Sequence, residues 1–222
     1  VEDSEQILTT TAAQYQRPSF SPDGTEVLWY RGSGAPSRGH STGAELWWDL
    51  ERKSLSAESA PTRIKTVGWP SRVRWSADGK RLLYVDNESR NVAHSAPKTV
   101  LKSTDLNGRD ERVIARWERA LDAVISPNGT AVAFIEEHRV YKAPIPLTAG
   151  KALNLGPESG AVPVADLSDG PGTWLDWTGE TPSWTVGPTI YTPKSATQLN
   201  AQLPAYTGTK TIAYTGARIH TM

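Results

Sequence analysis

Apolar residues along this chain fall into short runs that alternate with period two, and a recurring turn motif separates the runs. The motif recurs at spacings of 55, 50 and 52 residues, measured between the apolar residues that open each copy. A period of about 50 residues lies in the range of propeller blades and is too long for ankyrin or tetratricopeptide arrays. The four copies, the last one degenerate, are FSPDG (20–24), WSADG (75–79), ISPNG (125–129) and WTGE (177–180).

Each copy of the motif lies between two segments that predict β-strands. Before the turn, single apolar residues alternate, as Val73 and Trp75 do, which is typical of a strand with one buried face. After the turn, the runs at 27–30, 82–85 and 132–135 are apolar on both faces, so these strands must be covered on both sides. Third strands are predicted at 45–50, 100–106 and 139–142, and a turn at 105–108 leads into a fourth strand at 111–114. Four antiparallel strands per repeat, with helical periodicity nearly absent, predict an all-β fold of propeller blades.

The polar residues of the turn have a structural explanation. Asp or Asn followed by Gly tolerates the positive φ of tight hairpins, and the Pro of two copies presets φ at about −65°. Asp23, Asp78 and Asn128 could be taken for catalytic or metal-binding residues, but each recurs beside its Gly at the same place in the repeat. We therefore interpret them as turn residues.

The sequence RPSFSPDGTEVLWY at 17–30 resembles the TolB-like propeller repeat, also called the PD40 or WD40-like repeat. The copies at 72–85 and 122–135 resemble the same unit, with one departure each from the SPDG turn. The resemblance implies a ring of six or seven blades, whereas this chain holds about four repeats. An interrupted ring exposes the apolar sides of its end blades. We therefore expect the remaining blades upstream of Val1, or another chain, to cover these sides.

The C-terminal residues carry a second resemblance. The run TGARIHTM at 215–222 resembles the opening strand of the small β-domain of metal-dependent amidohydrolases, in the imidazolonepropionase-like branch. In that branch a TolB-like propeller can precede the amidohydrolase domain. The chain is accordingly divided into propeller blades at 1–193, a polar linker at 194–209 and the start of an amidohydrolase-like β-domain at 210–222.

This second resemblance implies a larger enzyme that hydrolyses a C–N bond with a divalent, zinc-type metal in a barrel domain. Such a metal lowers the pKa of its bound water to about 7 and polarises the substrate carbonyl. The first ligand motif of the family, His-x-His, lies downstream of the opening strand and does not occur in this sequence. We therefore assign no catalytic, cofactor-binding or metal-ligating residue to this segment. The family likeness also favours a periplasmic or secreted location.

Composition narrows the classes of partner. The formal net charge is zero, with 24 Lys+Arg against 24 Asp+Glu, which argues against a nucleic-acid binder because phosphate contacts need a surplus of basic residues. The sequence has no Cys, which excludes disulfides, thiolate zinc sites and cysteine nucleophiles. No stretch approaches the roughly 18 apolar residues that a membrane-spanning helix requires. We expect neither a nucleic-acid partner nor a membrane span.

Histidines and serine motifs offer little support for catalysis. His40, His94, His138 and His220 form no His-x-His or His-Glu-x-x-His motif. No Gly-x-Ser-x-Gly nucleophile elbow occurs either. The residues therefore predict no metal or nucleophile site of their own.

Six of the nine tryptophans fall into two groups. Trp75 and Trp177 open copies of the motif, and Trp29 lies in a run that is apolar on both faces, so all three are expected to pack in the core. Less fixed by the repeat, and therefore the first to consider for contact with a ligand or a partner domain, are Trp47, Trp48 and Trp184.

The sequence supports three hypotheses for the function. The first is the non-catalytic propeller segment of a larger metal-dependent amidohydrolase, which shields the active site or mediates domain or subunit contacts. Its partners are then the remaining blades and the amidohydrolase domain of the same protein, or further copies in a homo-oligomer. The second is a non-enzymatic TolB-like scaffold that binds a partner peptide in its central channel or on its face. The third is the gating propeller of a serine peptidase of the prolyl-oligopeptidase type, which requires a Gly-x-Ser-x-Gly downstream.

Overall fold

The secondary structure consists of 17 β-strands and their turns, and no helix occurs in the described part of the chain. The strands form four sheets that are arranged as the blades of a propeller, as the repeat predicts. The described residues therefore include no helix that is long and apolar enough to cross a lipid bilayer. The computed structural model describes residues 7–32, 47–56, 58, 60–67, 71–87, 98–145 and 151–200.

Blades 1 and 2 each contain a meander of four antiparallel strands that are consecutive in sequence. Blade 1 consists of β1 (Tyr15–Phe20), β2 (Glu26–Gly32), β3 (Trp48–Ser54) and β4 (Thr62–Val67). Blade 2 consists of β5 (Val73–Trp75), β6 (Arg81–Asn87), β7 (Thr99–Asp105) and β8 (Arg112–Arg116). The third and fourth strands of blade 2 thus lie where the sequence predicts them, within two residues at either end.

Blades 3 and 4 also consist of four antiparallel strands each, and one additional strand lies in the chain between the third and fourth strands of blade 3. Blade 3 consists of β9 (Ala120–Ile125), β10 (Ala131–Glu136), β11 (Arg139–Pro144) and β13 (Ala165–Asp166). The additional strand, β12 (Leu153–Asn154), belongs to another sheet. Blade 4 consists of β14 (Thr173–Thr178), β15 (Thr181–Val186), β16 (Thr189–Thr192) and β17 (Ser195–Gln198).

Two boundaries differ from those read from the sequence. The third strand of blade 1, predicted at 45–50, extends to Ser54 because its pairing with β2 continues until Glu26 lies opposite Ser54. Residues 45 and 46 lie outside the described residues. The stretch interpreted as a linker from 194 begins with β17, which pairs with β16 along its whole length. All residues of β17 are exposed and polar or small, so they show no apolar alternation that could predict a strand. Residues 201–222, including the amidohydrolase-like segment, lie outside the described residues.

The second strands of blades 2 and 3 are each buried between two neighbouring blades. In β6, Leu82 and Tyr84 pack against blade 1, whereas Leu83 packs against blade 3. In β10, Phe134 packs against blade 2, whereas Ile135 packs against blade 4. The prediction that these strands are covered on both sides is therefore confirmed, and three apolar clusters join the four blades in sequence order.

Two tryptophans of the motif fasten consecutive blades together. The Nε1–H of Trp75 donates a hydrogen bond to the backbone oxygen of Ser19 in blade 1, at 3.3 Å. The Nε1–H of Trp177 donates to the backbone oxygen of Val124 in blade 3, at 2.9 Å. Both acceptors come directly before the apolar residue that opens the preceding copy of the motif. The indole thus fills the space between blades and satisfies its only donor in the same contact.

A serine completes each repeated turn. The Oγ–H of Ser21 donates to Oδ1 of Asp23 at 2.5 Å, and Ser21 Oγ accepts the backbone N–H of Glu26 at 2.9 Å. Asp23 Oδ1 also accepts the backbone N–H of Thr25 at 3.1 Å. The same contacts recur for Ser76 with Asp78 and for Ser126 with Asn128. These hydrogen bonds, that from the serine first, lower the pKa of Asp23. The acidic residues of the motif are therefore engaged as turn residues.

The chain between the third and fourth strands of blade 3 reaches back to blade 2. Strand β12 pairs in parallel with β8, with Leu153 opposite Ala115 and Asn154 opposite Arg116. The backbone N–H of Leu155 donates to the oxygen of Arg116 at 3.0 Å, and the Leu155 side chain is fully buried in the cluster between blades 2 and 3. Blade 2 is therefore a five-stranded sheet. Its outermost strand, β12, follows the first three strands of blade 3 in the sequence.

The outer face of blade 4 is mainly polar. Trp184 and Tyr191 pack toward blade 3, so their neighbours along each strand point to the opposite face. That face carries hydroxyl side chains such as Ser183 and Thr185, and Thr173 Oγ1 donates to the backbone oxygen of Thr185 at 2.9 Å. The outer face of blade 4 therefore differs from the apolar flank expected at the end blades of an interrupted ring.

Gly129 closes the turn of blade 3 against blade 2. Its φ is 69°, and a Cβ at this position would lie 2.5 Å from the backbone oxygen of Trp75 and 3.3 Å from Cα of Ser76. Gly24, the equivalent residue in blade 1, has a φ of 70° and open space around it. The two glycines therefore share a backbone conformation and differ in the contact.

We predict that Gly129→Ala destabilises the fold more than Gly24→Ala. Both variants place an L-residue in the left-handed region, at a cost of roughly 1–2 kcal/mol. Gly129→Ala must also displace the backbone of blade 2, which adds about 1–3 kcal/mol. Urea unfolding of both variants measures the difference in the free energy of unfolding. Equal losses would show that the turn of blade 3 does not press on blade 2.

Candidate functional site

The innermost strand of each blade lies toward the propeller axis. These strands are β1, β5, β9 and β14, each at the edge of its own sheet. Contacts join β1 to β5 and β9 to β14. A side-chain contact also joins blade 2 to blade 4: Arg72, directly before β5, forms an ion pair with Asp176 of β14. The axis is therefore the place where non-adjacent blades meet.

Five charged side chains at these strands form a group that we call the axial cluster: Arg17, Arg72, Arg74, Asp122 and Asp176. The charges of Arg72 and Arg17 act on Asp122, and those of Arg72 and Asp176 act on Arg74. Blade 1 contributes Arg17, blade 2 the other two arginines, and blades 3 and 4 one carboxylate each. All four blades thus bring charge to one place.

Burial acts on both carboxyls of the axial cluster, with opposite outcomes. Asp122 is open to solvent, yet surrounding protein desolvates it and raises its pKa above the ordinary 3.8, although Arg72 and Arg17 act to lower it. Desolvation also acts to raise the pKa of Asp176. Hydrogen bonds from Arg72 and from the backbone N–H of Trp177 outweigh this, so the pKa of Asp176 lies below its ordinary value. The ion pair therefore stabilises the ionised form of only one of the two carboxyls.

Arg74 is the least satisfied member of the axial cluster. Its Nε–H is buried and has no hydrogen-bond acceptor among the residues that the structure describes. Desolvation lowers the pKa of Arg74, the charge of Arg72 lowers it further, and Asp176 partly offsets both. Val73 and Trp75 pack toward blade 1, so the Arg74 side chain extends from the opposite face of β5. A guanidinium with an unused donor at a solvent-accessible cluster is a candidate binding group.

Backbone strain accompanies the axial cluster. Arg17 and Trp174 have φ values of 56° and 50°, in the left-handed region that non-glycine residues rarely adopt. The strand pairing shifts at each of these positions, in β1 and in β14. Such bulges and strained residues concentrate near functional sites, where they redirect side chains. The Trp174 side chain is 84% exposed.

One signal for this site is present in the sequence, at a fixed position of the repeat. Arg17, Arg72, Asp122 and Trp174 each lie three residues before the apolar residue that opens their copy of the motif. The offset is constant, but the residue types differ in charge and size, and the motif alone therefore did not reveal them. A search for polar or aromatic residues at one fixed repeat position would have found all four.

The residues singled out from the sequence lie elsewhere. Trp48 and Trp184 are 8% and 4% exposed and pack in the apolar clusters between blades, so only Trp47, 66% exposed, remains available for contact with a ligand. His138 lies in the tight turn between β10 and β11 with a φ of 70°. The other three histidines lie outside the described residues. Among the residues that the structure describes, no three His, Cys, Asp or Glu side chains are grouped to hold a metal ion.

A groove of about 410 Å³ lies between the turns of blades 1 and 2. Asp23, Asp78 and Glu26 line it together with Trp75. Both aspartates are already engaged by the hydrogen bonds of their turns, which lower the pKa of each. The groove therefore results from the shape of the repeated turn and offers fewer free polar groups than the axial cluster.

No family model matches this sequence, and no curated protein matches it either. Among solved structures, a puromycin hydrolase mutant in complex with PGG is similar, with a TM-score of 0.50 and 14% identity over 87% of this chain and 31% of that one. TolB from Acinetobacter baumannii has a TM-score of 0.47 and 14% identity over 85% of this chain and 43% of that one. The β-propeller domain of the Trilobed protease from Pyrococcus furiosus has a TM-score of 0.45 and 10% identity over 85% and 58%. The chain thus spans less than two thirds of each, and the similarity is one of fold.

We predict that Asp122→Asn raises the stability of the fold at neutral pH. The folded-state pKa of Asp122 lies above its unfolded value of 3.8, so its contribution is favourable below pH 3.8 and is lost as pH rises through the folded pKa. Asn cannot ionise, and its gain over the parent chain should shrink as pH falls toward 3.8. Urea unfolding between pH 7 and pH 4 measures this.

The matched control for this prediction is Asp169→Asn, which removes an exposed carboxylate on the loop before β14. This variant should leave the free energy of unfolding nearly unchanged, as surface substitutions usually do. A loss of stability at pH 7 in Asp122→Asn would show that the ionised carboxylate supports the axial cluster instead of straining it.

Proposed function

We propose that this chain is a non-catalytic propeller module that recognises a ligand or a chain segment at the axial cluster. The observation that carries the proposal is the convergence of charged side chains from the innermost strands of all four blades on one solvent-accessible place. Perturbed ionisable groups gather at functional sites because such sites combine partial burial with several charges. The unused donor of Arg74 and the strained backbone at Arg17 and Trp174 belong to the same place.

We further propose that the module belongs to a larger metal-dependent amidohydrolase. The run TGARIHTM at 215–222, after four TolB-like repeats, supports this assignment. A zinc-type metal and its ligands then belong to a barrel domain downstream, and the propeller shields the active site or contacts other domains and subunits. Further blades, the amidohydrolase domain and copies of the same chain are the partners that fit this proposal. A periplasmic or secreted location fits it as well.

The axial cluster also suits a second candidate, a non-enzymatic TolB-like scaffold that binds a partner peptide. Paired charges of both signs on the innermost strands can hold the polar groups of an extended chain segment. This candidate shares the recognition site with the first and differs from it in the downstream polypeptide. It predicts no catalytic domain after the propeller.

The polypeptide beyond Met222 separates these candidates. We predict a His-x-His motif within the next several dozen residues, since the first metal ligands of amidohydrolases come after the opening strand. Reading the coding sequence tests this. A Gly-x-Ser-x-Gly in its place would assign the propeller to a serine peptidase, and a chain that ends or continues without metal ligands would favour the scaffold.

In the full-length enzyme we predict that Arg72→Gln raises KM and leaves kcat and the metal content unchanged. The variant breaks the ion pair with Asp176 at the recognition site and touches no catalytic group. Steady-state kinetics and elemental analysis measure these quantities. Arg109→Gln, in the exposed turn between β7 and β8, is the matched control and should change none of them. A fall in kcat at unchanged KM for Arg72→Gln would contradict a pure recognition role.

A further inference from the structure

Arg74 occupies a place where a guanidinium is costly without a partner. Its Nε–H is buried and meets no acceptor in the described part of the chain, although the guanidinium offers five N–H donors in a fixed planar arrangement. A buried donor that has lost water and gained no hydrogen bond destabilises a fold, and the cost is larger when the group is charged. The positive charge of the neighbouring Arg72 repels that of Arg74. The carboxylate of Asp176 forms its ion pair with Arg72 and only partly offsets this repulsion. The described residues therefore give no structural reason for an arginine at position 74.

The charge balance of the axial cluster favours a single negative charge. The cluster holds three guanidiniums, on Arg17, Arg72 and Arg74, and two carboxylates, on Asp122 and Asp176. With both carboxyls ionised, one positive charge is left over. A ligand with one negative charge balances the cluster, whereas a dianion meets the repulsion of both aspartates. Asp122 and Arg17 are exposed, so solutes can reach the cluster from solvent.

We propose that the axial cluster binds one carboxylate group, with Arg74 as its principal donor. A planar carboxylate matches the fork of a guanidinium and accepts two parallel hydrogen bonds from it, which no ammonium group can reproduce. Binding satisfies the orphaned Nε–H and neutralises the surplus charge in one step. The carboxylate is that of a peptide C-terminus or of a small organic acid, since both present the same group. The inference rests on the axial recognition proposed above and specifies its chemistry.

The proposal also predicts how replacing Arg74 changes the stability of the free chain. A residue that holds the fold together destabilises it when removed, whereas a residue kept for binding can be replaced at no loss or with a gain. Arg74→Gln removes the buried charge and keeps a side chain of similar reach. We therefore expect the melting temperature of the free Arg74→Gln chain to equal or exceed that of the parent chain.

Calorimetric titration of the 222-residue chain tests the proposal with four probes: trialanine, trialanine with an amidated C-terminus, acetate and inorganic phosphate. We expect saturable binding of trialanine, at least about tenfold weaker binding of the amide, and at least about tenfold weaker binding of trialanine to Arg74→Gln. Arg74→Lys keeps the charge and loses the fork, so it should recover only part of the affinity. Arg109→Gln, an exposed arginine outside the cluster, should bind as the parent chain does. Acetate binding comparable to that of trialanine identifies a small acid as the source, and binding of trialanine alone identifies a peptide end.

Four outcomes overturn the proposal. Equal affinity for trialanine and its amide shows that the axial cluster recognises peptide without the carboxylate, which leaves the recognition function intact. Tighter binding of phosphate than of either carboxylate assigns the site to a dianion. A melting temperature well below that of the parent chain makes Arg74 a structural residue. If none of the four probes binds, the chain has no carboxylate site. The kinetics of Arg72→Gln test the recognition function independently.

Discussion

The whole molecule depends on keeping both faces of each middle strand away from water. Leu82 and Leu83 are adjacent in β6 and face different blades, so neither can be buried unless a blade lies on each side. Blades 2 and 3 are thus wedges that each complete the cores of two neighbours, as in other repeat proteins where a unit cannot bury its apolar surface alone. The indoles of Trp75 and Trp177 make this packing specific, because the N–H of each donates a hydrogen bond to one backbone oxygen of the preceding blade.

The same geometry explains why charge accumulates at the axis. Blades diverge outward, so apolar side chains fill the broad spaces between them, while the innermost strands crowd together around a narrow solvent-accessible centre. Apolar residues at that centre would be exposed to solvent. Uncharged polar residues there would form only weak contacts with one another. Charged side chains of opposite sign, such as Arg72 and Asp176, can bridge blades that share no apolar cluster. Blades 2 and 4 are linked by this pair although they are not neighbours in the sequence of repeats.

Most features that arise from residues close together in the sequence could be predicted from it, whereas features that join distant residues could not. The turn of 20–24 and the two-faced strands after each turn were predictable, since both arise within a few residues and recur along the chain. β17 was not, because an exposed edge strand of Ser, Ala, Thr and Gln carries no apolar period. The contribution of Ser21 was also missed, although its hydroxyl is central to the turn. The axial cluster joins residues as far apart as Arg72 and Asp176, 104 positions, and only a fixed offset in the repeat hints at it.

Strand β12 has a consequence for how this architecture can change over time. A repeat that forms its sheet from its own residues can be copied, lost or exchanged as a single block of sequence. Here the outermost strand of blade 2 is encoded after three strands of blade 3, and Leu155 is fully buried where the two blades meet. Excision of blade 2 alone would leave β12 without a sheet to join. Duplication of blade 2 alone would leave the β8 of one copy without its partner strand. The heritable unit in this stretch is therefore the pair of blades, and rearrangements that respect the pair should outnumber those that divide it.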